Sequence, residues 1–382
     1  MTVFHQMGHQ SDNLLASDQL AYRGAILSPV NYDQEGISRV INRFGVPGFE
    51  TIFDPQMYYP KSEKGKLQTW RYFPADYNTA DMTSEAWWNQ VIASLVEIIQ
   101  EISPNAVCSP TPVPRVYQND YYLAMTRLSN SLCERLTSQD ISVLQTVIAN
   151  LVDLSDYRRV HEIASIVTQG EAGRIYLIFN SQTTPRRELN NTDELKGAML
   201  LIKLLEESGI RVVVGYCSSD IILWKEAGAT DCATGKFFNL RRFTPSRWDE
   251  NEEGGGGQLP YWFEEGLVAY LRESDISRVR RGNIFSDASN RNPFTAEILQ
   301  NISVGNPWVA LGWKQYIYWF SDVEARLRLH ETNADQLLSV AEENWTVINN
   351  IRNPKVLMEE IRNNGDWVRL WHRAVLEYSY PW

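Results

Sequence analysis

The residue types that carry chemistry are unevenly represented in this chain, and their spacing narrows what they can do. Of five His, His5 and His9 are close in sequence and Asp54 could join them. His161, His330 and His372 read as helical, so the several imidazoles of a hydrolytic zinc or iron centre do not come together and no metal is expected. His5 and His9 are expected instead to hold the first loop by hydrogen bonding. Cys108, Cys133, Cys217 and Cys232 form no C-x-x-C pair, which argues against a zinc ribbon, an iron–sulfur cluster or a disulfide framework and fits a reducing cytoplasm. No G-x-S-x-G elbow marks a nucleophilic serine. No cofactor is implied. The loop cations are more informative: Lys61, Lys64, Lys66 and Arg71, then Arg115, Arg158, Arg159, Arg186 and Arg187, then Lys236, Arg241, Arg242 and Arg247. On a chain of net charge −11, such groups gathered at one place would hold a phosphorylated ligand or a nucleic-acid backbone. Trp70, Tyr72, Phe73, Phe237, Phe238, Phe243 and Trp248 lie among them and offer rings for bases to stack on.

What could gather them is a repeated alternation. Up to about residue 235 a short apolar or β-branched run is followed by a polar turn and then a helical pattern, eight times over. The strands are expected at 2–8, 24–31, 49–56, 105–112, 141–150, 174–181, 211–217 and 229–235. The clearest helix is expected at 193–208, ended by Gly209, and a short one follows Ser218–Asp220 as its cap. Runs such as VVVG and IYLIF lack in/out alternation, as parallel strands covered on both faces do. Eight βα units in this length predict an α/β fold, a (β/α)8 TIM barrel, with a doubly wound open sheet as the competing arrangement.

The composition changes after Gly235. A basic-aromatic loop, an acidic stretch and four glycines lead into helical patterns only: WFEEGLVAYL, the stretch through WVALGWKQYIYWFSDVEARLRLH, ADQLLSVAEENW, KVLMEEIRNN and WVRLWHRAVLEY. The expected division is a barrel over 1–247, an acidic, Gly-rich connector over 248–258 and a Trp-rich α-helical C-terminal region over 259–382. Nine of the 13 Trp fall at or after Trp248; Trp313, Tyr316 and Phe320, at helical spacing, are read as core packing. With no apolar run long enough for a membrane span and no signal-peptide grammar at the N-terminus, a cytoplasmic protein without membrane contact is expected.

Barrel active sites sit at the C-terminal ends of the strands. That rule selects Asp54 and Gln56 after strand three, Arg115 after four, Asn180 and Gln182 after six, Tyr216 after seven, and Asp231, Lys236, Arg241 and Arg242 around strand eight. The segment GYCSSDIILWKEAGATDCATGKFFNLRR, residues 215–242, resembles the end of the barrel in tRNA-guanine transglycosylases, where a strand of GVD-x-FDCV type leads into a Thr-Arg-x-x-Arg loop. By that resemblance Asp231 matches the nucleophilic aspartate and Asp54 the aspartate that manages protons. The family's C-x-C-x-x-C zinc cluster and its Gly-Gly-Phe-Gln run are both absent here.

The expectation is thus a barrel enzyme acting on an anionic substrate, a nucleotide or nucleic acid. Asp54 and Asp231 would be its carboxylates, Asn180 and Gln182 would read polar edges, and Lys236, Arg241 and Arg242 would bind phosphate. The alternative is a non-catalytic barrel that engages a protein partner through its Trp-rich helical tail; an exposed patch of those aromatics would separate the two.

Overall fold

Segments such as 175–179 and 212–214 show no polar face because both sides of each strand are covered, by helices outside and by the barrel's own bore inside. The computed structural model describes residues 3–74, 77–248, 258–281, 285–350 and 365–380. Eight parallel strands form a closed barrel in sequence order: β1 (Val3–Gln6), β2 (Gly24–Leu27), β3 (Glu50–Phe53), β4 (Ala106–Cys108), β5 (Ser142–Asn150), β6 (Arg174–Asn180), β7 (Arg211–Val214) and β8 (Asp231–Thr234). β8 returns to β1 with Val3 opposite Cys232, which closes the ring. The chain is a (β/α)8 barrel followed by a C-terminal region that is mainly helical. Among the described residues no helix is long and apolar enough to cross a membrane.

The connecting helices begin where the sequence supplies caps. Asp33 accepts from Gly36 N at the start of Gln34–Phe44, Ser84 from Trp87 N at Glu85–Ile102, and Asn191 from Asp193 N and Glu194 N at Thr192–Glu207. Asp220 does not cap Ile221–Glu226 with its side chain; its carboxylate takes Ser218 N and Arg242 instead. Inside the bore, Tyr176 Oη on β6 donates to Gln6 Oε1 on β1 at 2.9 Å. Gly215 makes room for that ring, since a Cβ there would stand 2.5 Å from it.

The strands' N-terminal ends are closed by charge. Arg23 pairs with Asp231 at 3.0 Å, Arg174 with Glu50, and Arg211 approaches Asp231 at 3.9 Å. Asp231 is buried, and removing a partner from such a carboxylate costs roughly 3–5 kcal/mol.

The segment WFEEGLVAYL departs from the helix expected of it. It forms an antiparallel hairpin, β9 (Trp262–Glu264) and β10 (Ala269–Leu271), with Val268 in the left-handed region at φ 49°. Every residue from Trp262 to Leu271 is buried, so the apolar pattern had no wet face from which a period could be read. Glu264 holds the turn, accepting from Gly266 N and Ser286 N. Helices Thr295–Val304, Val309–Arg328, Ala334–Asn350 and Asp366–Glu377 follow. The KVLMEEIRNN stretch and residues 249–257 of the connector lie outside the described residues.

The tail is bolted to the barrel. Its apolar side chains belong to the same buried cluster as those of β5–β7 and their helices. Indole N–H groups fasten the tail within itself and to the barrel: Trp319 donates to Glu265 Oε2 and Trp345 to Leu267 O, both in the hairpin, at 2.8 Å, while Trp371 donates to Leu189 O, in the barrel loop after β6, at 2.7 Å.

Candidate functional site at the barrel mouth

At the centre of the C-terminal face, rings fill the opening. Tyr58 lies 5.1 Å from Phe243 and 5.3 Å from Trp248, and Phe243 lies 5.3 Å from Tyr216, centroid to centroid. Asp54 sits beneath them, immediately after β3. Its Oδ2 accepts from Tyr58 Oη at 2.7 Å and its Oδ1 from Gln56 N at 3.0 Å. Burial pushes the carboxyl up to about 6, against the lowering effect of those two hydrogen bonds and of Arg247. Gln56 and Tyr216 both adopt left-handed backbone, at φ 51° and 56°. Gln56 Oε1 accepts from Ser28 Oγ and Val30 N, tying the ends of β2 and β3 together. The Arg247 guanidinium lies 5.5 Å from the Tyr216 and Trp248 rings.

A cavity of about 570 Å³ opens on one side of this plug. Lys64, Arg186, Lys236, Arg241, Arg247 and His9 line it together with Phe237, Tyr261 and Trp313, and no carboxylate is among its described lining residues. The cations are held by backbone oxygens. Lys236 Nζ donates to Gln10 O at 3.2 Å, Arg241 to Gly235 O and Lys236 O, Arg247 to Asn239 O, and Lys64 to Arg247 O. Lys236 also stands 4.7 Å from the Phe237 ring and 4.8 Å from Trp313, and burial lowers its pKa. Arg241 lies flat on Tyr316 at 3.5 Å. Carbonyls thus hold Lys236, Arg241 and Arg247 in place at the cavity wall.

On the other side of the plug a cleft of about 620 Å³ is lined by Tyr58, Tyr59, Tyr77, Arg115, Tyr117, Asn150, Asp153, Asn180 and Gln182, among others. The residues selected at the strand ends therefore divide. Lys236 and Arg241 line the cationic cavity; Arg115, Asn180 and Gln182 line the second cleft; Asp54, Gln56 and Tyr216 are buried between the two.

Two selected residues are elsewhere. Asp231 begins β8, so it lies at the N-terminal end of the barrel in the network with Arg23, Arg174 and Arg211, while Asp54 ends β3 at the opposite face. The carboxylate pair implied by the transglycosylase resemblance is not assembled. Arg242 turns away from the cationic cavity. Its Nη2 reaches Asp220 Oδ2 at 3.2 Å and Glu188 Oε2 at 3.8 Å, and its Nη1 donates to Arg187 O. Burial pushes Glu188 up to about 7 in spite of that guanidinium.

His5 is also not a loop-holding hydrogen bonder. Both its ring nitrogens are buried without a partner, it packs edge-on to Tyr22 at 5.2 Å, and burial, with Lys236 nearby, holds it down at about 3. Tyr316 and Phe320 are core, as their spacing suggested, but Trp313 lines the cationic cavity. Tyr58 escaped notice; its position four residues after Asp54 was the available signal.

No protein-family model matches the chain, and no curated protein matches it significantly. Solved structures similar to it include a GH18 chitinase from Pseudoalteromonas aurantia (13% identity, 63% of this chain and 95% of that one, TM-score 0.39). An AP endonuclease of family 2 from Brucella melitensis is another (10%, 62% and 92%, TM-score 0.37). A monomeric dihydrodipicolinate synthase variant is similar over 99% of this chain and 97% of its own (12%, TM-score 0.36). The barrel assignment rests on strand order and register, not on these likenesses.

Proposed function

We propose that the protein is a barrel enzyme whose substrate is a nucleotide or the end of a nucleic-acid strand, held by its phosphate in the cationic cavity. The observation that carries this reading is a cluster of cations at one cavity, in a chain of net charge −11: Lys236, Arg241 and Arg247 line it and hydrogen-bond to backbone oxygens. Lys236 supports it further. An ammonium has three N–H donors, and the hydrogen bond to Gln10 O uses one. Phe237 and Trp313 beside it give a base two rings to stack on. With Asp231 at the far end, the carboxyl left for proton handling in this reading is Asp54, which burial pushes up to about 6 and which accepts from the Tyr58 hydroxyl. The tail favours this over a Trp-anchored scaffold: of the described Trp from Trp248 onward only Trp313 is not buried, and Trp313 lines the cavity.

The test is calorimetric titration of nucleoside monophosphates against the matching nucleosides, with short DNA and RNA strands, across a salt series. The nucleotide should bind more tightly than its nucleoside, with an affinity that falls as salt rises and that weakens roughly tenfold in Lys236→Ala. Equal affinity for nucleotide and nucleoside, or no binding at low salt, would overturn the proposal.

A further inference from the structure

The second cleft differs from the cationic cavity in kind. Its described lining holds two cations, Lys61 and Arg115, and one carboxylate, Asp153, so it has little net charge with which to hold an anion. Tyrosine rings from the loops after β3 and β4, Tyr59 and Tyr77 from the first and Tyr117 from the second, give it flat apolar walls. Between them stand amides from the ends of β5 and β6. Asn180 is 5% exposed; its Nδ2 donates to Tyr117 Oη at 2.9 Å, and that bond leaves its Oδ1 buried with no hydrogen-bond partner. Asn150 Nδ2 donates to Asp153 Oδ1 at 3.1 Å, which steadies the carboxylate beside it.

A buried carbonyl oxygen without a donor is costly, roughly 1–3 kcal/mol, so a ligand that brings one is favoured. The surrounding groups ask for both donors and acceptors, set against ring faces. Hydroxyls meet the first demand because each donates and accepts, and the C–H face of a pyranose meets the second.

From this juxtaposition we infer that the cleft is a separate binding site for a neutral, hydroxyl-rich ligand, a sugar or glycosyl group. It sits on the opposite side of the Tyr58–Phe243–Trp248 plug from the cationic cavity, and it does not depend on what that cavity binds. Asn180 Oδ1 accepts a hydrogen bond from one hydroxyl, Asp153 accepts from a second, and the tyrosines flank the ring.

Saturation-transfer NMR and calorimetry on the full chain, with glucose, N-acetylglucosamine, cellobiose and maltose at millimolar concentration, test it. At least one saccharide should bind. Its affinity should fall roughly tenfold in Asn180→Ala and in Tyr59→Ala, each checked for native circular dichroism, and excess nucleotide should not displace it. Tyr59 is a half-buried wall residue, so its variant stands as a folded test should Asn180→Ala unfold. Absence of binding by all four saccharides overturns the inference, as does binding that neither substitution weakens. Displacement by nucleotide, or tighter binding of an uncharged nucleoside than of any saccharide, overturns it equally, and the nucleotide titration proposed above is read independently of each result.

Discussion

At the scale of single residues, neighbours in sequence have opposite fates. Arg241 lines the cationic cavity while Arg242 is spent on Asp220 and Glu188. Arg242→Ala should therefore lower stability by roughly 3–5 kcal/mol, because it strands two buried carboxylates. Urea unfolding measures that loss, and the effect on nucleotide affinity should be smaller than that of Lys236→Ala. Asp54 gives a pH signature. Its folded carboxyl titrates at about 6 against an ordinary 3.8, so the folded chain binds that proton more tightly than the unfolded one. The stability it contributes is fully present below about 3.8 and is lost as pH rises through about 6. Stability of the native chain relative to Asp54→Asn should accordingly fall by on the order of 3 kcal/mol between those limits. Because His5 is common to both proteins, its opposite pH trend cancels in the difference. The sequence made the cations and amides of the mouth legible because strand ends are easy to locate. It could not show that Asp231 begins its strand: over the expected 229–235 the carboxylate falls inside the strand, whereas β8 starts at Asp231 itself and so leaves it at the N-terminal end.

At the scale of elements, helix Thr192–Glu207 sets propensity against packing. Gly197 lies in its middle, where alanine is normally better by about 1 kcal/mol. A Cβ there would stand 1.8 Å from Leu154 O. Gly197→Ala should therefore destabilise the protein by roughly 1–3 kcal/mol, the reverse of its propensity. Asn191→Ala should cost about 1 kcal/mol through the lost cap. Thermal denaturation of the two variants checks both signs. The eight strands and most helices could be read from the chain because β-branched runs and caps are local signals. The hairpin Trp262–Leu271 could not: its turn depends on Glu264 reaching Ser286, a contact remote in sequence, and on a cover that buries both faces.

At the scale of the molecule, the tail and the β5–β7 side of the barrel share one apolar cluster, and the rest of the barrel forms a second against it. They should unfold in a single transition by calorimetry and by near-ultraviolet circular dichroism. Trp371→Ala should lower its midpoint while keeping it single, at a cost of roughly 3–5 kcal/mol, because that fully buried indole also holds the loop after β6. Two separated transitions would show that the tail folds apart. The Trp content that suggested a partner surface is taken up inside the chain, Trp319 and Trp345 by the tail's own hairpin and Trp371 by the barrel.

The charged network at the strands' N-terminal ends carries a kinetic consequence. β3 and β6 are not neighbours in the barrel wall, yet Arg174 reaches Glu50 between them, and Tyr176 spans from β6 to Gln6 on β1. Strands tied across the bore cannot peel away one at a time, so their amide protons are released to solvent only when the whole wall opens. The opposite face has no share in that lock. The residues there that line the cavity and the cleft can change, and with them the ligand, while the wall beneath them keeps its own clock.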